Sequence, residues 1–188
     1  NSVEFIELLV SQPLKRTKIW LSMFLGIAAA IMLAFLIGVG IPVLIYQATE
    51  TGLMLLAIGV LLSVIFTAFA MLAFAFIRDK AKGIGISVLL WLVTALLFDG
   101  VVLFLLFQFS DYPIEKYMLA VSFCNPIDLG RILILLKMDV SALMGYTGAI
   151  FRMFFGTNWG VSIAFFALLC WIFVPLWLSV KKFVKKDL

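Results

Sequence analysis

Of 188 residues, 65% are hydrophobic and 13% charged, against roughly 45–50% and ~25% in a soluble domain. With a mean hydropathy of +1.24, this composition excludes a single water-soluble core, a disordered chain, a disulfide-stapled secreted scaffold and a nucleic-acid-binding domain, and leaves an integral membrane protein. The net charge of +4 is small, so where the charges fall matters more than their sum.

The chain opens Asn1-Ser2-Val3-Glu4-Phe5, with neither the basic start nor the apolar core of a signal peptide. It reads as a fragment whose upstream part is missing. Residues 3–18 predict a short amphipathic helix, with Glu4 and Glu7 three apart and Phe5, Ile6, Leu8 and Leu9 around them. Pro13 stops or bends it. Such a helix either lies on the lipid surface or inserts into a cleft of a cytoplasmic partner.

Four stretches then satisfy the requirement of about 20 apolar residues for crossing a bilayer. They run from Ile19 to Tyr46, Gly52 to Ile77, Gly83 to Phe109, and Trp159 to Val180. The predicted fold is all-α, a polytopic helical bundle with both ends on one side. In residue ranges, 19–109 holds three spans, 110–158 a helical segment on the outer face, 159–180 the last span and 181–188 a basic tail. Lys15, Arg16, Lys18, Arg78, Lys80, Lys82, Lys181, Lys182, Lys185 and Lys186 all fall at one end of the bundle. The positive-inside rule makes that end cytoplasmic. Trp20, Tyr46, Trp159 and Trp177 are placed as interfacial aromatics.

The segment 110–158 is too apolar for a loop. Ile114 to Cys124 predicts one short helix, and Asn125-Pro126-Ile127-Asp128 a turn that starts a second. Asn125 caps it, Pro126 occupies its first turn and Asp128 complements its positive end. The second helix, too short to span, packs on the outer face of the bundle or re-enters it. Asp128 and Arg131, three apart, are expected to pair. The helix is either a structural plug or a gate and platform for an outside partner.

Asp99 is the one ionisable residue inside a predicted span. It serves either a polar pathway or a structural contact with Arg131, Arg152 or backbone freed near Gly100. With no histidine and two cysteines, neither a Cys/His zinc site nor a histidine-based catalytic group can be built. Cys124 and Cys170 are expected to be small apolar fillers. Thioether sulfur suits Cu(I); Met138 and Met144 are weak candidates beside the plainer reading of core methionines. No Walker A motif is present, and no catalytic residue is assigned.

Leu8-Leu9-Val10-Ser11-Gln12-Pro13-Leu14-Lys15-Arg16 resembles the cytoplasmic segment of ABC-2-type transporter permeases. Leu97-Phe98-Asp99, then Asn125-Pro126-Ile127-Asp128-Leu129-Gly130-Arg131, then Ser141-Ala142-Leu143-Met144-Gly145, is similar to the permease of the nitrous-oxide-reductase maturation systems. The resemblance implies spans three to six of a six-span subunit. It implies a homodimer that pairs with a cytoplasmic ATPase carrying ATP and Mg, with no cofactor in this chain. It further implies a periplasmic partner protein, a copper-chaperone lipoprotein, an inner-membrane location and support of copper-site assembly. Phe5, Leu8, Leu9, Pro13 and Arg16 would couple to the ATPase, and Asn125, Pro126, Asp128 and Arg131 would fix the outer-face helix. The alternatives are a generic exporter of a lipid or amphiphile, and a membrane anchor that holds a periplasmic protein without transport.

Overall fold

The computed structural model describes residues 15–46, 48–77, 79–109, 115–138 and 151–185. Four helices among them are long and apolar enough to cross a membrane: α1 (Arg16–Tyr46), α2 (Glu50–Phe76), α3 (Lys80–Gln108) and, last in the chain, α6 (Asn158–Val184). Two short helices, α4 (Glu115–Ser122) and α5 (Pro126–Lys137), lie between α3 and α6. No strand occurs among the described residues. The molecule is an all-α, multi-pass membrane bundle. Each span starts or ends within a few residues of the boundary read from the sequence, extended mainly at the basic ends.

Local chemistry sets the helix starts. Thr49 accepts from the Gly52 amide, Asp79 from Lys82, and Thr157 from Gly160, which satisfies a donor the first turn leaves open. Pro175 sits inside α6, where neighbouring helices make the missing donor tolerable in a membrane. In α1 a π-turn spans Leu36–Gly40, with the Ile41 amide reaching Leu36 five residues back. Pro42, which follows, has no N–H for the carbonyl four residues before it.

The central helix is α2, on which α1, α3, α5 and α6 all pack. The buried residues of α6 are Gly160, Ala164, Leu168, Ile172, Pro175, Ser179 and Phe183, a single stripe at helical spacing. The stripe of α1 is Ile19, Trp20, Phe24 and Ala28. Trp20 is therefore no interfacial anchor: it is buried, its Nε1–H donates to Ser179 Oγ at 2.8 Å, and its ring stacks on Phe183 at 4.2 Å. Tyr46, Trp159 and Trp177 are exposed. Lys181 lies 4.0 Å from the Trp177 ring centre. The remaining surface is densely apolar, as lipid contact requires.

Candidate functional site

The helices α4 and α5 form a hairpin, and its turn carries several polar contacts to the spans. Asn125 caps α5 by accepting from the Ile127 amide at 3.1 Å, and Pro126 takes the first helical position. Both are fully buried. The amide of Asn125 has a second role: Nδ2 donates to the Thr94 carbonyl at 2.7 Å. Thr94 lies in a π-turn of α3, Val93–Leu97, where the Phe98 amide reaches past Thr94 to Val93. The carbonyl that an α-helix would satisfy internally is thus taken by the hairpin. On the other side, Trp171 Nε1–H of α6 donates to the Phe123 carbonyl at 3.1 Å.

Thr94 and Trp171 are the central residues of α3 and α6. The turn therefore sits at the middle depth of the spans, and the hairpin re-enters the bundle. At its other end α5 returns to the start of α2, where Lys137 Nζ meets Glu50 Oε2 at 2.9 Å and Thr51 Oγ1 donates to the Lys137 carbonyl at 3.2 Å. The twelve residues of α5 cover about 18 Å, just over half of a ~30 Å hydrocarbon core. Irregular backbone at that depth is tolerated only when protein satisfies it. Among the described residues no buried side-chain polar atom lacks a partner.

Gly130 lets α5 approach α2. A Cβ there would stand 2.8 Å from Ile58 Cγ2, so only hydrogen fits without displacement, the small-residue packing of membrane helices. One helical position on, Arg131 Nη1 bonds Asp99 Oδ2 of α3 at 2.6 Å. The expected Asp128–Arg131 pair is therefore corrected. Arg131 points across to α3, because the hairpin brings Asp99 closer than the acid on its own helix. Asp128 instead lies beside the Ser122 hydroxyl at the end of α4. Burial pushes its carboxyl above the usual range, outweighing the Ser122 contact and the nearby Arg131 charge, and Asp99 adds to the rise.

A family model described as "ABC-2 family transporter protein" matches residues 6–188. The chain belongs to the ABC-2 transporter family. It is 28% identical over 191 residues to a protein named "Probable ABC transporter permease protein NosY" from Stutzerimonas stutzeri, a match covering 95% of this chain and 67% of that one. Membership makes the chain a permease component of an ABC transporter and implies an ATPase partner.

The remaining candidate residues of the permease are dispersed. Phe5, Leu8, Leu9 and Pro13 lie outside the described residues, as does Met144; Arg16 is the first residue of α1. Met138 is half-exposed at the end of α5. Among the described residues no three His, Cys, Asp or Glu side chains form a metal-ligand group. Cys124 and Cys170 are exposed thiols, not buried fillers. Thr94, Ser122, Gly130 and Trp171 were not singled out from the sequence. Of these Thr94 and Ser122 carry a local signal, a hydroxyl that bonds back to its own helix.

A cleft of about 680 Å³ opens between α1 and α3 over α2. Ile27, Ile31 and Trp91 form its sides, Thr67 and Phe74 lie on its floor, and Ile127 of the hairpin reaches it. Its α2 lining, from Leu62 to Phe74, extends about 18 Å.

Proposed function

We propose that this permease supports copper-site maturation of a periplasmic nitrous oxide reductase, by passing motion from a cytoplasmic ATPase to the re-entrant hairpin. The observation that carries the reading is the bonding of one turn to the centres of two spans. Asn125 holds α3 and Phe123 holds α6, so a tilt of either span displaces the hairpin. The similarity to NosY supports the nitrous-oxide-reductase context. In this reading the basic ends, with Lys15, Lys80 and Lys181, face the cytoplasm of a bacterial inner membrane, and the hairpin opens to the periplasm. Two copies of the permease pair with two ATPase subunits. A periplasmic partner protein and a copper-chaperone lipoprotein meet the hairpin side. ATP and Mg are held by the ATPase.

The coupling element is the amphipathic segment 4–14, with Phe5, Leu8 and Leu9 as apolar anchors and Pro13 and Arg16 at the entry to α1. Helices of this kind dock through a few buried side chains. Leu8→Asp and Leu9→Asp should each abolish co-purification of the ATPase while leaving the permease in the membrane fraction. Undiminished co-purification in both would remove this segment from the coupling role. For the function as a whole, a strain lacking the permease should yield reductase without its copper, restored by the wild-type chain at matched levels. Full copper loading in the deletion strain would overturn the reading.

A generic exporter of an amphiphile is the second reading, and the cleft favours it. Its α2 lining runs from the middle of the helix towards the basic end, about one leaflet in depth, and is overwhelmingly apolar. Changed lipid composition of the outer leaflet in the deletion strain, with normal copper loading, would select this reading over the first.

A further inference from the structure

The third span changes helical register where the hairpin touches it. Along α3, Gly83, Ser87, Leu90 and Thr94 form a buried or half-buried stripe at steps of four, three and four. Beyond them Asp99, Val102 and Leu106 continue the half-buried stripe at steps of three and four. Between Thr94 and Asp99 the step is five, and the π-turn Val93–Leu97 takes up the extra residue. A continuous α-helix from Thr94 would instead turn Phe98, Val101 and Leu105 to the bundle.

The sequence of the turn does not impose this form. Val93-Thr94-Ala95-Leu96-Leu97 contains neither proline nor glycine, and the Thr94 hydroxyl bonds back to Leu90 at 3.0 Å as it does in an ordinary helix. Two bonds from the hairpin hold the turn instead. Asn125 Nδ2 supplies the Thr94 carbonyl, at 2.7 Å, with the donor that the Phe98 amide gives to Val93. Arg131 grips Asp99, just past the turn, at 2.6 Å. The bonds are six residues apart on α5 and five on α3, so the two helices run side by side in the same sense. Inward of the turn α2 packs on Lys80–Leu92. Outward of it Phe98–Gln108 has no buried residue and is apolar throughout Val101 to Phe107. Turning this outer half exchanges one apolar side chain for another, and only Asp99, an acid at membrane depth, resists.

We propose that the hairpin is a register latch on α3. With Asn125 and Arg131 engaged, α3 keeps its π-turn and Asp99 faces the hairpin. When the hairpin withdraws, the Phe98 amide returns to the Thr94 carbonyl and the turn closes into an α-helix. The outer half then rotates by about 100°, one residue's worth of helix, which carries Val101 and Leu105 onto the bundle face. Displacement of the hairpin thus becomes rotation of the span beside it. Closing the turn regains a backbone bond and loses the Asp99–Arg131 pair, so Asn125→Ala is destabilised in either register. The latch stands on the bonding of the hairpin and not on copper maturation, and it is read in the resting chain without a reductase.

Nitroxide scanning of the full chain in nanodiscs tests the latch. Single labels are placed from 84 to 92 and from 100 to 107 in a Cys124→Ser, Cys170→Ser background, and read for collision with lipid-dissolved oxygen. In the parent chain the outer minima of accessibility should fall at Val102 and Leu106, one residue out of step with the inner half. Asn125→Ala should move them to Val101 and Leu105 and leave the inner pattern unchanged, which also shows that the variant is folded. Deleting Ala95 removes the extra residue, so the minima should stay at Val102 and Leu106, and adding Asn125→Ala should no longer move them. If Asn125→Ala alone does not reach the membrane, the deletion should restore it, since it leaves no carbonyl open. Minima in step along the whole of α3 in the parent chain would overturn the π-turn. Minima that stay in place in Asn125→Ala would overturn the latch, as would a shift or a loss of protein that the Ala95 deletion does not suppress.

Discussion

Asn125 Nδ2 donates to the carbonyl of Thr94 at 2.7 Å, across 31 positions of sequence. The same side chain caps α5 through its oxygen, so one residue fixes the start of a helix and closes the π-turn of another. Asn125→Ala removes a cap, worth about 0.5–2 kcal/mol, and leaves a buried carbonyl unbonded, at roughly 1–3 kcal/mol. We expect a loss of about 2–4 kcal/mol by thermal or denaturant unfolding in detergent, since the two terms share one site and need not add. Asn125→Ser should recover the cap and only part of the stability. Equal stability of Asn125→Ala and wild type would show that the Thr94 bond contributes nothing.

Arg131 and Asp99 should couple more strongly than Arg131 and Asp128. Arg131 and Asp99 expose 45% and 31% of their side-chain surface, so the pair belongs between the ~0.2–1 kcal/mol of a surface bridge and the ~3–5 kcal/mol lost when a buried pair is broken. A double-mutant cycle of Asp99→Asn with Arg131→Gln should give about 1–3 kcal/mol. The cycle with Asp128→Asn should give less at acidic pH. The reverse order would restore the pairing expected from helical spacing alone.

Gly130→Ala should be costly, and Gly85→Ala should not. The new methyl at 130 would lie 2.8 Å from Ile58, whereas nothing lies within 4 Å at 85. Overpacking of this kind costs about 1–3 kcal/mol, while alanine in place of an unconstrained helical glycine gains up to about 1 kcal/mol. Unfolding of the two variants side by side gives the comparison. Shortening the neighbour with Ile58→Ala should relieve part of the Gly130→Ala penalty.

The raised carboxyl of Asp128 fixes the sign of one pH dependence. The folded chain holds this proton to higher pH than the unfolded chain does, so between the two values the native state binds more protons and stability falls as pH rises. The loss begins near the ordinary aspartate range, about pH 4, and is complete above the raised folded value. Asp128→Asn should flatten this limb of the stability curve. A wild-type limb that rises with pH, or one that Asp128→Asn leaves intact, would contradict the burial of this group.

Ser179→Ala tests the packing of α1 on α6. It leaves the buried Trp20 indole N–H without its acceptor, for which about 1–3 kcal/mol is expected. Trp20 fluorescence should report local loosening before global unfolding.

Apolar length and the placement of lysine and arginine were enough for the sequence to specify four crossing helices, because lipid demands long runs that satisfy their own backbone. The cap at Asn125 and the proline at the first turn of α5 were legible for a similar reason: each is chemistry within four residues. The Asp99–Arg131 bridge was among the pairings the sequence offered, but most contacts that cross the bundle lay beyond it. The sequence left Arg131 two acids, Asp128 by helical spacing and Asp99 as the acid inside a span, and only the packing of the hairpin on α3 selects Asp99. Trp20 looked interfacial because it stands near a span end, and only the approach of α6 buries it against Ser179 and Phe183. The π-turn of α1 has a local cause in Pro42, whereas no proline lies within the π-turn at Thr94 or after it in α3, and the donor for the freed carbonyl arrives from Asn125. Local rules govern hydrogen bonds between near neighbours; which distant side chain meets a freed carbonyl or an unpaired charge is decided only when the helices pack.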